Sequence, residues 1–249
     1  MAIIFLREIE ILQERILRQS IEVEDRLQKS LQAVANRDVE LAAKVIAGDT
    51  EIDQREVAIE EECLKLLALH QPVASDLRFL IATLKLNNDL ERIGDLAVNI
   101  ADRARLLATA PQPSIRLPID RMSVLAIGML RKVFRAFMDH NAGLAAEVVA
   151  SDDELDELNR QMITTVVVCL RSGEPAPDAL LLLLGVSREL ERVGDHASNI
   201  AEDLIYMFEG EIVRHHKAEL ARTTCTTPIR TVTHETSGRE SASSTRGSR

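Results

Sequence analysis

Aromatic side chains are nearly missing from this chain: its 249 residues include no Trp, one Tyr and five Phe. Glycine, at 10, and proline, at 7, are also sparse. Sheets draw on aromatic and β-branched residues and need many Gly- and Pro-bearing turns, so a β-sandwich or barrel is a poor expectation. The chain is nonetheless 46% hydrophobic, mostly Leu, Ile, Val, Ala and Met, which points to a helical core. Only three cysteines occur, Cys63, Cys169 and Cys225, and no pair has CxxC spacing. They read as reduced thiols of a cytosolic protein. A long apolar run is missing too. The longest, Ala179 to Leu184, falls far short of the roughly 20 residues that a membrane span needs. The apolar N-terminus meets Arg7 too soon to be a signal peptide. The expectation is a cytoplasmic protein without direct membrane insertion.

Positive charge is also in short supply, with 30 Lys plus Arg against 40 Asp plus Glu, a formal charge of -10. That balance argues against a nucleic-acid partner held by phosphate neutralisation. It leaves room for cations or for a basic partner surface. The charge is uneven: residues 217–249 carry +3, which leaves -13 on residues 1–216.

Proline divides the chain into long pieces. None precedes Pro72, while Pro111, Pro113 and Pro118 cluster. Clustered Pro marks a linker, because Pro inside a helix costs about 3 kcal/mol. Ile9, Leu12, Ile16, Ser20, Val23, Leu27, Leu31 and Val34 recur every three or four residues, as one face of a long amphipathic helix. A turn at Asn36-Arg37-Asp38, with Asp38 as N-cap, opens a second helix running to about His70. A third runs from about Val73 to Leu107. After the linker the plan repeats, with helices over about 118–140, 142–171 and onward to near Gly210. The expected fold is all-α: two tandem three-helix bundles, six long helices and a disordered tail. The expected division is 1–108 and 119–216 for the bundles, 109–118 for the linker and 217–249 for the tail. Fifteen of the 33 tail residues are Thr, Ser or Gly, too polar to offset the entropy of ordering.

Self-similarity is the strongest signal. Leu90-Glu-Arg-Ile-Gly-Asp-Leu-Ala-Val-Asn-Ile-Ala101 aligns with Leu190-Glu-Arg-Val-Gly-Asp-His-Ala-Ser-Asn-Ile-Ala201, with nine of 12 positions identical. Asp49 and Asp53 likewise correspond to Asp152 and Asp156. Residues i and i+4 share a helix face, so Glu91 points with Asp95 and Glu191 with Asp195. Like charges at that spacing repel by a few tenths of a kcal/mol. Gly94 and Gly194 each cost about 1 kcal/mol relative to Ala in mid-helix. Both costs occurring twice suggest a compensating role: a neighbouring helix or an ion approaching the glycine, and a cation between facing carboxylates. Oxygen-only donors favour Fe(III), Mn, Mg or Ca, with Zn also open. The carboxylates lie off the apolar stripe, which suggests a surface site. Arg92 and Arg192 read as salt-bridge partners, and His196 as a helix residue or a ligand. There is no Glu-x-x-His, HExxH, P-loop or GxGxxG, and no catalytic residue is assigned.

Gln71-Pro-Val-Ala-Ser-Asp-Leu-Arg78, Asn88-Asp-Leu-Glu-Arg-Ile-Gly-Asp95 and Glu189-Leu-Glu-Arg-Val-Gly-Asp-His-Ala-Ser-Asn-Ile-Ala-Glu202 strongly resemble the PhoU family. So does Ile205-Tyr-Met-Phe-Glu-Gly-Glu-Ile-Val-Arg214. The resemblance covers about residues 3–216. It implies two tandem three-helix bundles in a cytoplasmic accessory protein of phosphate-specific transport. Such a protein is a negative regulator of the phosphate-starvation response, linking an ABC phosphate transporter to a membrane-bound sensor histidine kinase. It further implies homodimers and, in some members, multinuclear iron or zinc clusters. Carried over, the metal residues are Asp49, Asp53, Glu91 and Asp95, then Asp152, Asp156, Glu191 and Asp195. Leu96 departs from the family, which commonly has His there. The alternatives are a metal-dependent phosphatase acting on a phosphorylated regulator and a plain helical scaffold.

Overall fold

A computed structural model describes residues 2–210, apart from the side chains of residues 2, 3 and 49–51. The tail, 217–249, lies outside the described residues, as do Cys225, His215 and His216. The helices are α1 (Ala2–Asn36), α2 (Val39–Ala47), α3 (Asp49–His70), α4 (Ala74–Leu107), α5 (Ile119–Met138), α6 (Ala142–Arg171) and α7 (Pro177–Glu209). No strand occurs among the described residues. The first bundle is α1, the α2–α3 rod and α4; the second is α5, α6 and α7.

Local chemistry sets the turns. Arg37 takes φ 54° after α1 ends, and the Asp38 carboxylate accepts from the Leu41 N–H at 2.9 Å. The Arg37 guanidinium donates to the Leu107 carbonyl at 2.8 Å and to that of Ala110. It thereby satisfies carbonyls that the end of α4 leaves open. Asn141 repeats the cap at α6, accepting from the Leu144 N–H at 3.0 Å. Pro177 is the first residue of α7, where its missing N–H costs nothing.

The second rod runs where the pattern placed it but is interrupted at Gly48, which ends α2 and precedes α3. Arg26, almost fully buried on α1, donates to the Gly48 carbonyl. In an unbroken helix that carbonyl accepts from within the helix. A Cβ at Gly48 would lie 3.2 Å from the same guanidinium.

The central pair is α4 with α7. Leu90, Ile93, Ala97 and Ile100 on α4 and Leu190, Val193, Ala197 and Ile200 on α7 belong to one apolar core that continues through both bundles. Charged pairs border this seam. Arg103 meets Glu189 at 2.8 Å, Lys85 meets Asp203 at 3.0 Å and His196 Nδ1 lies 2.8 Å from Asp89. All three carboxylates are buried. A Cβ at Gly185 would overlap the Arg103 side chain, so the glycine gives Arg103 its path to Glu189.

Candidate metal centre

The second bundle gathers its carboxylates at the contact of α6 with α7. Asp152 and Asp156 stand one turn apart on α6, and Asp195 rises from α7. One oxygen from each lies within 4.8 Å of the others. Asp152 is buried, Asp156 half-buried and Asp195 exposed. The cluster therefore opens to solvent on the α7 side but has a buried base, deeper than the surface site the pattern suggested. Glu191 is half-buried beside it. Burial pushes its carboxyl above the usual range, and Asp195, Asp156 and Asp152 push it further, against the opposing pull of Arg192. All four predicted residues of this half thus share one electrostatic neighbourhood.

Gly194 makes that approach feasible. A Cβ there would sit 2.5 Å from Leu155 Cδ2 and 3.5 Å from Asp152 Oδ1. The glycine lets α6 close on α7, and the closure brings Asp152 under Asp195.

The first bundle is arranged differently. Glu91 and Asp95 are half-buried on α4, and Asp53 is exposed on α3. The Asp49 side chain lies outside the described ones. Burial raises the Glu91 carboxyl first; Asp95, which also shares a hydrogen bond with it, and Glu56 raise it further. Arg92 leans over both, 3.4 Å from Glu91 and 3.9 Å from Asp95. Glu56 escaped the sequence reading. Its own carboxyl is raised by burial, then by Glu60 and Asp53, so it joins the Asp53 side of the site to the Glu91 side. The repeat comparison hid it: its counterpart 103 positions on is Asn159, whose side-chain oxygen accepts from Ser187 Oγ at 3.0 Å. The available signal was the Asp53-x-x-Glu56 spacing, which shares a helix face. Here a Cβ at Gly94 would meet Ile52 Cδ1 at 3.4 Å, an ordinary contact.

Among the described residues, only Asp152, Asp156 and Asp195 bring three ligand atoms together. Carboxylate oxygens from two helices, with the half-buried Glu191 carboxyl beside them, fit a hard cation such as Fe(III), Mn, Mg or Ca. His196 is engaged with Asp89 across the seam, and Leu96 is buried in the core. Arg192 lies 3.5 Å from Glu189, a salt bridge as expected.

The PhoU domain family matches residues 16–104 and again 119–204, once in each half. A protein of Aquifex aeolicus called "Phosphate-specific transport system accessory protein PhoU homolog" is 38% identical over 209 residues, 84% of this chain and 95% of its own. The Caulobacter vibrioides protein of the same description is 36% identical over 79% of this chain and 86% of its own. The crystal structure of PhoU from Pseudomonas aeruginosa superimposes with a TM-score of 0.79 at 34% identity, over 83% of this chain and all (100%) of that one. The phosphate transport system regulatory protein PhoU from Streptococcus pneumoniae gives 0.79 at 32% identity, over 84% of this chain and 99% of that one.

Proposed function

The chain belongs to the PhoU family, and on that premise we propose that it is a non-enzymatic accessory protein of phosphate uptake. The observation carrying this reading is the double family match together with near-complete overlap with relatives described as phosphate-specific transport accessories. Among the described residues no helix is long and apolar enough to cross a membrane, so in this reading the protein meets the ABC phosphate transporter through the transporter's cytoplasmic parts. It acts as a negative regulator, relaying transporter state to a membrane-bound sensor histidine kinase, and it works as a homodimer.

The carboxylate clusters hold cations in this reading, iron or zinc in multinuclear form or Mn, Mg or Ca, and thereby stiffen the α6–α7 and α3–α4 contacts against their own repulsion. The convergence of Asp152, Asp156 and Asp195 supports it, since a cation there would offset the repulsion that, after burial, raises the Glu191 carboxyl.

Deleting the gene tests the regulatory role. Phosphate-starvation genes are expected to stay on in phosphate-rich medium, and a plasmid copy restores repression. Normal repression in the deletion strain overturns the proposal.

A further inference from the structure

Of the four mid-helix glycines, Gly94, Gly185 and Gly194 each lie against a neighbouring side chain, but a Cβ at Gly128 would meet nothing within 4 Å. The fold of one chain makes no use of its missing side chain, yet mid-helix Gly costs about 1 kcal/mol relative to Ala. Gly128 lies in the floor of a groove of about 510 Å³ between α5 and α6, with Met129 beside it and Val124 one turn before. Val124 is 74% exposed, the most open large hydrophobic side chain among the described residues.

The rims of the groove are charged in a definite order. On the α5 side stand Arg121 and Lys132, with Asp120 next to Arg121 but 3.4 Å from Arg116; on the α6 side stand Glu154 in the groove lining and Glu147 beyond it. Arg121 reaches Glu154 at 2.6 Å and Lys132 reaches Glu147 at 3.0 Å. These side chains are 37–66% exposed, so each pair is weak within one chain and open to a second partner. A twofold axis along the groove exchanges the α5 rim for the α6 rim and keeps position along it. Arg121 then faces the partner's Glu154 and Lys132 faces the partner's Glu147, and each contact occurs twice. A twofold across the groove would set Arg121 against the partner's Lys132 and acid against acid, which is repulsive.

From this charge order and the unused glycine, we infer that the α5–α6 face is the contact between two copies of this chain. The inference rests on the homodimer reading above and names its surface. α5 is about 30 Å long and a helix pair about 20 Å wide. The face therefore offers about 600 Å² per protomer, near the roughly 800 Å² of a standard interface. Val124 and Met129 form its apolar centre, Gly128 admits the partner helix closely, and the rim charges set register.

Sedimentation equilibrium of the full chain tests this, with Arg121→Glu and Glu154→Arg alone and mixed. The parent is expected to be dimeric, and each variant alone to dimerise at least tenfold more weakly. The equimolar mixture recovers parental affinity. In the mixed dimer the introduced acid faces the introduced base at one contact, and the native Arg121 faces the native Glu154 at the other. Gly128→Gln, which has open space in the monomer, keeps the circular dichroism of the parent and loses the dimer. A dimeric parent whose variants dimerise as tightly overturns this face while the homodimer reading stands. A monomeric parent overturns both.

Discussion

Replacing Glu191 with Gln is expected to stabilise the metal-free protein at neutral pH. Its carboxyl sits above the ordinary value of 4.5 because burial and three neighbouring acids disfavour its charge. Such a group binds more protons folded than unfolded between the two values. Its contribution is therefore complete below the unfolded value and is lost as pH rises through the folded one. The gain in Glu191→Gln should be a few tenths of a kcal/mol at pH 7 and should vanish below about 4.5, the ordinary value. Melting curves with chelator from pH 4 to 8 check it; a lower melting temperature at pH 7 contradicts the sign. At this scale the sequence was informative where spacing alone fixes a face. It announced the Glu91/Asp95 and Glu191/Asp195 pairs because i and i+4 lie together on any helix. It could not announce Glu56, because that placement depends on how α3 leans on α4.

Helix contacts separate two glycines that the repeat makes look equivalent. Gly194 is pressed by Leu155 on α6, whereas Gly94 has ordinary clearance from Ile52. Gly194→Ala forces a fully buried Leu155 to move, at about 1–3 kcal/mol before the roughly 1 kcal/mol of helix propensity is returned. Gly94→Ala keeps most of that propensity and should be neutral or stabilising. Chemical denaturation of the two variants decides, and equal losses would show that clearance is not the difference. Helix ends were legible where a cap or a proline marked them, as at Asp38 and before Pro72. The break at Gly48 was not, because its cause is a long-range donor, Arg26, 22 positions earlier in the sequence.

Across the whole molecule, the tandem arrangement was legible because duplicated motifs and a proline cluster survive as text. The continuity of the core through α4 and α7 was not, since each helix shows only that it has an apolar stripe and never which stripe it meets. That continuity matters for ligand linkage. A cation that joins α6 to α7 stabilises elements packed against the first bundle as well. Manganese or iron at 100 times its dissociation constant should raise unfolding free energy by about 2.7 kcal/mol. Asp152→Ala with Asp195→Ala should abolish the rise. Calorimetry checks both, and an unchanged transition with metal would remove the cation from the second bundle.

The charged borders of the α4–α7 seam make its two sides non-interchangeable. In a chimera of two first halves, Lys85 would confront Arg103, and Asp89 would lose its histidine partner to Leu96 while gaining Arg103. In one of two second halves, Glu189 would confront Asp203. Each matching of like with like introduces a repulsion, Lys85 on Arg103 or Glu189 on Asp203, that the unlike halves avoid. Divergence along this one strip thus disfavours the pairing of like halves from two chains while both are folding.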